Sequence, residues 1–456
     1  MAPSNGDFSR GKVSSVIIRL GLPIMLAELV HVLYNIVDRM YIGHMSGTGT
    51  LALTGIGICF PLITLIGAFA NLFSTGGATL STIARGEGKD GTAGVIMDTS
   101  FTLLILTGAA LTALLYPLAP QLLTLLGADA ETLPAALAYF RIYVLGTVPV
   151  LIGLGMNPFI NALGFPKTGM VTVILGAALN IVLDPLFIFT LRMGVAGAAL
   201  ATVISQTAGA VWVLLFLRGR RTPIRLSRFA VDRYQTGRLL KLGVTGFTFK
   251  ITNSVTQSLV NITLRAWGGP LSTLYVGAMS LINSLREILS LPNNGVTTGA
   301  QNVMSYNYGA AKPERVSAAI RFTLLCGLGI NLIAWGLTQF LPEAMLRVFT
   351  DDGALISAAV RCVRIYFGAF PFMALQLTGQ STFVALNYPK HALFFSLLRK
   401  VLLVTPLTLL LPGFGFGVEG VFWAELISQA VGATACCTTM YLVIGRRLRG
   451  GSTQTA

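Results

Sequence analysis

Ala162-Leu163-Gly164-Phe165-Pro166-Lys167 returns as Ala385-Leu386-Asn387-Tyr388-Pro389-Lys390, a shift of 223 positions from 162 to 385. The same shift lays Gly194-Val195-Ala196-Gly197 on Gly417-Val418-Glu419-Gly420 and Ile204-Ser205-Gln206 on Ile427-Ser428-Gln429. It also lays Asn71, Thr75, Gly76, Gly86 and Lys89 on Asn294, Thr298, Gly299, Gly309 and Lys312. One constant offset across half a chain means two structurally equivalent halves. In an apolar chain, that points to a transporter.

The chain is apolar. Of its 456 residues, 54% are hydrophobic and 11% charged, against about 25% charged in a soluble domain. Its apolar runs are long enough to cross a hydrocarbon core of roughly 30 Å as helices. With no water to satisfy the backbone there, helices are the natural solution. Strands of a barrel would instead alternate over about 10 residues. The expectation is an all-α integral membrane protein with twelve transmembrane helices in two six-helix lobes. The first set is Ser15–Ile42, Thr50–Leu80, Ala93–Leu115, Leu133–Gly153, Thr168–Phe189 and Val195–Phe216. The second is Leu239–Ala266, Ser272–Gln301, Val316–Phe340, Ala354–Ala385, Lys390–Leu411 and Val418–Ile444. Six spans per half is an even number, so equivalent helices cross in the same direction. The halves then form a parallel internal repeat, with the substrate path expected between them.

A net charge of +15 would suggest nucleic acid in a soluble protein, but no basic stretch here carries interleaved aromatics for stacking bases. The cations lie mostly between apolar runs. Arg218, Arg220, Arg221, Arg225, Arg228, Arg233, Arg238 and Lys241 crowd the stretch between the halves, with Pro223 inside it. The N-terminus, the turns at Lys89 and Lys312, and the tail after residue 445 are basic as well. The positive-inside rule then puts both termini in the cytoplasm. The expected division is an N-terminal lobe 1–217 carrying a cation site, a basic cytoplasmic linker 218–238, a C-terminal lobe 239–445 and a cytoplasmic tail 446–456. Asp98 and Arg321 occupy equivalent positions near the cytoplasmic ends of the third and ninth spans, where a tie between lobes would sit.

Enzymatic readings find little support. Gly6 to Lys12 spells Gly-x-x-x-x-Gly-Lys, but Val13 stands where a P-loop needs Ser or Thr. His31, His44 and His391 are scattered. Cys59, Cys326, Cys362, Cys436 and Cys437 lie in apolar segments without zinc-site spacing. No cofactor is expected, only a coupling ion.

Ionisable residues inside spans are expensive and therefore suspects. Asp38 falls late in the first span and Asp184 in the fifth. Asn180 is four residues before Asp184, and Tyr34 is four before Asp38, so each pair shares a helix face. Two carboxylates from different helices, with amide and hydroxyl oxygens, suit a proton or a sodium ion, the latter at Asp38, Asn180 and Asp184. Pro23 and Pro185 share those helices and free the carbonyls of Arg19 and Ile181, which makes them candidate bends. Pro61, Pro149, Pro158 and Pro371 also fall within spans. Candidates for a substrate cavity are Met25, Glu28, Tyr34, Asn35, Asn157, Gln257, Asn261, Met279, Gln380 and Glu425. Glu28 maps near Lys250 in the repeat, and Glu425 maps onto Thr202. Glu425 reads as half of a structural pair with a basic group, or as a cavity residue. Asp38 maps onto Asn261 and Asp184 onto Leu407, so only the first half carries the acids.

With its repeat, the stretch Asn35-Ile36-Val37-Asp38-Arg39-Met40-Tyr41-Ile42-Gly43-His44, the turn Gly309-Ala310-Ala311-Lys312 and the Pro-Lys hexapeptide, the chain resembles the multidrug and toxic compound extrusion (MATE) family over essentially its whole length. The resemblance implies a twelve-helix, two-lobed bacterial antiporter. Such a protein exports amphipathic, often cationic compounds across the inner (plasma) membrane on a proton or sodium gradient, and is expected here as a monomer among lipids. MepA-like and DinF-like members look similar overall. A DinF-like cation site corresponds to Asp38, Asp184 and Asn180, and the resemblance adds Tyr139 and Thr202. The NorM-like glutamate of the seventh helix and aspartate of the tenth have no counterparts here. Alternatives are export of a specific native metabolite, or flipping of a lipid-linked precursor, which would need a strongly basic cavity.

Overall fold

The computed structural model describes residues 7–45 and 49–450. Part of the expected lead (1–6) and part of the expected tail (451–456) lie outside the described residues. Among the described residues all regular structure is helical. The helices are α1 (Val13–Gly43), α2 (Gly49–Gly86), α3 (Asp90–Leu125), α4 (Leu133–Leu145), α5 (Thr147–Ala162), α6 (Pro166–Pro185), α7 (Gly194–Arg218), α8 (Arg233–Trp267), α9 (Ser272–Gly309), α10 (Pro313–Phe340), α11 (Pro342–Arg347), α12 (Gly353–Phe367), α13 (Phe372–Ala385), α14 (Pro389–Leu397), α15 (Thr405–Leu410) and α16 (Gly420–Gly450).

Every expected span is found as helix. Two of them are broken: α4 and α5 meet at 59°, and α12 and α13 at 51°. Both breaks carry the same sequence signal, Gly146-Thr147-Val148-Pro149 and Gly368-Ala369-Phe370-Pro371. A proline donates no hydrogen bond and is best tolerated in the first turn of a helix, and each span restarts there. Pro61 and Pro158 lie inside continuous helices instead. Among the described residues, eight helices are long and apolar enough to cross a membrane, and counting each bent pair as one span raises the number to ten. The remaining two expected spans, α8 and α9, run 35 and 38 residues. They are long enough but too polar to pass on composition.

The repeat is also written in the backbone. Gly88 (φ 75°), Gly164 (94°), Arg192 (53°) and Gly194 (57°) are left-handed, and so are their partners Ala311 (52°), Asn387 (62°), Gly415 (90°) and Gly417 (54°). The hydrogen bonds recur too. Lys89 N donates to Ala84 O at 2.9 Å, as Lys312 N does to Asn307 O at 2.9 Å. The left-handed conformation costs a non-glycine residue about 1 kcal/mol, so the second half is strained at Ala311 and Asn387 and the first at Arg192. Ala311→Gly should therefore raise the Tm of the detergent-solubilised protein by about 1 °C, and Gly88→Ala should lower it. A fall in Tm for Ala311→Gly would show that the turn is held by something other than φ.

The chain packs as two compact units. One is built on Leu26–Lys250, the other on Phe8–Met25 with Ile251 onward. α1 therefore starts in the second unit and ends in the first, and α8 does the reverse. The changeover in α1 lies within a turn of Pro23.

In the first unit, α8 lies against α2 through glycines. A Cβ on Gly243 would stand 1.8 Å from the Leu72 carbonyl oxygen, and one on Gly76 2.1 Å from that of Leu239. In the second unit, Gly21 of α1 meets Gly295 and Gly299 of α9 in a looser but still close approach, a Cβ on Gly21 falling 2.7 Å from the Gly295 oxygen. Small residues allow this approach where apolar burial alone drives nothing together.

The basic stretch after α7 is docked rather than loose. Buried Asp98 of α3 accepts from Ser227 N at 3.0 Å and Ser227 Oγ at 2.7 Å. Thr102 Oγ1 accepts from Ala230 N at 3.1 Å. The bonds from Ser227 satisfy the buried Asp98 carboxylate within the first unit. At the opposite end of α3, Asp129 accepts from Thr132 N, Thr132 Oγ1 and Glu131 N. These bonds hold its carboxyl below the usual carboxylate range, the Thr132 backbone contributing most. In the second unit, Arg315 donates to the carbonyls of Phe8, Arg10 and Gly11 at 2.9–3.2 Å, pinning the N-terminal lead to α10.

Candidate cation site

α6 carries Asn180 and Asp184 one turn apart on one face, both buried, and Asp184 is wholly enclosed. The Asn180 amide Nδ2 donates to Asp184 Oδ1 at 3.2 Å. The helix then departs from α geometry. After Pro185 it continues as a π-helical turn over Leu186–Thr190, with Leu191 N reaching back to Leu186 O at 2.9 Å. Such wide turns recur at functional positions.

The half-buried Asp38, from the last turns of α1, brings its carboxyl within hydrogen-bonding reach of Asp184. Three acceptor oxygens of this cluster have no donor among the described residues: Asp38 Oδ1, Asp184 Oδ2 and Asn180 Oδ1. Buried polar groups are normally satisfied, so three orphaned oxygens converging from two helices need an explanation. They fit a cation. Two carboxylates that meet out of water repel until a proton or a metal ion lies between them, and hard oxygens suit either. Sodium, where it is the coupling ion, would be held by Asp38, Asn180 and Asp184.

Aromatic hydroxyls surround the pair. Tyr139 of α4 is buried and lies within electrostatic range of Asp38, as does Tyr34 of α1. The Tyr139 and Tyr143 rings stack at 6.1 Å. The Tyr34 side chain hydrogen-bonds Gln206 of α7. A cavity of about 150 Å³ opens beside them, lined by His31, Tyr34, Asn157, Asn180, Thr202 and Gln206 among others. Asn180 belongs to both the carboxylate pair and the cavity wall, so it joins the two.

The fold thus brings together Asp38, Asp184, Asn180, Tyr139 and Tyr34, with Thr202 and Asn157 at the cavity. Thr202 donates to Ala198 O of its own helix at 3.0 Å and lines the cavity. Asn35 donates to His31 O one turn back. Glu28 is half-buried on α1 in the same unit. Gln206, Ser205 and His31 line the cavity without having been singled out from sequence. Gln206 carried a signal, as part of the repeated Ile-Ser-Gln.

The other candidates fall in the second unit. Met25 packs against Gly295, while Asn261 and Gln380 are half-buried on α8 and α13. Gln257, Met279 and Glu425 line a separate small cavity with Arg286 and Lys400. Glu425 is paired there with Arg399 at 3.0 Å and Lys400 at 3.4 Å. Neither cation was singled out from sequence, although both lie in the middle of an apolar run.

The MatE family model matches residues 23–186 and 251–410, once in each half. The chain belongs to the MATE family. This is a family of membrane transporters, not of enzymes, and the chain is a multi-pass member of it. It is similar to the multidrug export protein MepA of Staphylococcus aureus (strain N315), 23% identical over 444 residues and covering 96% of each chain. It is also similar to MepA of Staphylococcus haemolyticus (strain JCSC1435), 22% identical over 441 residues with the same coverage. Solved structures share the fold. A MOP superfamily transporter from Pyrococcus furiosus gives a TM-score of 0.90 at 20% identity, covering 100% of both chains. A MATE transporter in a bent conformation gives 0.91 at 21% identity, covering 99% of this chain and 100% of the other. The all-helical, two-lobed fold is thus shared with these transporters.

Proposed function

We propose that this MATE protein is a cation-coupled antiporter that exports amphipathic, often cationic compounds by alternating access. The observation that carries the coupling is the trio of orphaned oxygens on Asp38, Asp184 and Asn180 beside a cavity. The relatives named for multidrug export support the substrate class. A proton or a sodium ion binds the carboxylate pair, with Tyr139 and Thr202 contributing hydroxyl oxygens. Neutralising the pair removes the repulsion between α1 and α6 and lets α1 shift at Pro23, while the π turn after Pro185 absorbs the movement of α6. Ion and substrate then compete through the Asn180 wall. Twelve spans, both termini in the cytoplasm, placement in the bacterial plasma membrane and a monomeric state complete the proposal.

Asn180 offers the test that spares both acids. Asn180→Leu should weaken the apparent affinity for the coupling ion by about 10- to 100-fold, as expected on losing a group that orients a ligand. Efflux rate against cation concentration measures this. A curve overlapping the unaltered protein's would take Asn180 out of the site.

A further inference from the structure

We propose that the second unit contains a site for a small monovalent anionic group, either a chloride ion or the carboxylate of a zwitterionic substrate. It is separate from the cation site and does not depend on that assignment.

The site is built on a second π-helical turn, Leu398–Val404, between α14 and α15. Two adjacent cations, Arg399 and Lys400, sit on it in the middle of a span, and Lys400 is buried. Both turn to one oxygen, Glu425 Oε1 of α16. Arg399 also donates to Gln429 one turn further along α16. A third cation, Arg286 of α9, lies within electrostatic range of Glu425, Lys400 and Tyr366. The cluster therefore holds three cations against one buried carboxylate. Glu287 is the other acid in range of Arg286, and it is exposed.

Two buried donors here, Arg286 Nε and Gln429 Nε2, have no acceptor among the described residues. An excess of buried positive charge with unused donors is the mirror image of the cation site, and low-dielectric surroundings make it costly. A cavity of about 20 Å³ lies against Arg286, Tyr366, Lys400, Glu425, Asn253 and Gln257. That is room for one small ion or one oxygen of a carboxylate.

The test uses the purified full chain in detergent, in sodium sulfate buffer at constant ionic strength. Sodium chloride or sodium benzoate is titrated in, and Tm is followed. A saturable rise in Tm, lost in Lys400→Met and in Arg286→Gln, is expected. A rise with chloride points to a free ion. A rise with benzoate alone points to a substrate carboxylate. No rise with either in the unaltered protein overturns the proposal.

Glu425→Gln provides a check that does not depend on weakening the fold. It removes the competing negative charge, so the half-saturating anion concentration should fall by about tenfold or more, given the strength of a charge pair at this separation in a protein interior. An unchanged or higher half-saturating concentration in folded Glu425→Gln also overturns the proposal.

Discussion

Asp38→Asn combined with Asp184→Asn is expected to reduce dye efflux to the level of cells lacking the transporter, while the protein stays in the membrane at its normal amount. The reason is electrostatic. A cation leaves water for a membrane interior only where fixed negative charge replaces its hydration, and these are the acids that converge there. An amide offers a carbonyl dipole in place of a full charge, and it brings donors that compete for the same oxygens. The same geometry predicts that the double variant is no less stable. Its new amide groups can donate where Asp38 Oδ1 and Asp184 Oδ2 have no donor, so Tm in ion-free buffer should hold or rise, as is common when a strained functional site is neutralised. A purely structural role for the pair would give the opposite pattern, with lowered Tm and lowered abundance. Normal efflux by a well-expressed double variant would remove the pair from coupling altogether.

Gly243→Val is expected to abolish folded protein. The Cβ would lie 1.8 Å from the Leu72 carbonyl oxygen, 2.8 Å from its carbon and 3.3 Å from its Cα, all of them backbone. No rotamer change relieves such a contact, so α8 must separate from α2 along its whole first half, breaking the neighbouring approaches of Gly76 to Leu239 and Gly246 to Thr75. Overpacking that side chains can absorb costs about 1–3 kcal/mol, and this one exceeds what side chains can absorb. Gly329→Ala on α10 is the control. Nothing lies within 4 Å of its added methyl, and alanine is the better helix former by roughly 1 kcal/mol. Size-exclusion chromatography of detergent extracts should show a sharp peak for Gly329→Ala and aggregate for Gly243→Val. A sharp peak for both would mean that the α2–α8 approach is looser than described.

Much of the fold was legible because hydropathy and repetition are local, additive signals. The hexapeptide at 162 and 385 located the halves, and the left-handed pair Gly164 and Asn387 shows what that hexapeptide encodes: a tight turn ahead of a proline-started helix. The bends at Pro149 and Pro371 were legible as prolines but not as breaks, since Pro61 and Pro158 are accommodated in continuous helices. The sharing of α1 and α8 between units was not legible at all. Residues 13–25 look like any apolar half-helix, and their assignment depends on the close approach of Gly21 to Gly295, distant in sequence.

The acids of the candidate site stood out because a carboxylate within an apolar run has few bland explanations. Gln206 and His31 did not, because uncharged polar residues are common on buried helix faces. Arg399 and Lys400 carried a signal as strong as that of Asp38, two cations in a leucine-rich run. Their partner Glu425 lies a whole helix away, so the pairing itself could only be seen folded.

The most direct measurement is dye efflux from proteoliposomes containing only this protein, with a proton gradient and a sodium gradient imposed separately, for the unaltered chain and for Asp184→Asn. Efflux driven by one of the two gradients, and absent under both in Asp184→Asn, is the expected result. Gradient-driven efflux that persists in Asp184→Asn would contradict coupling at the Asp38–Asp184 pair.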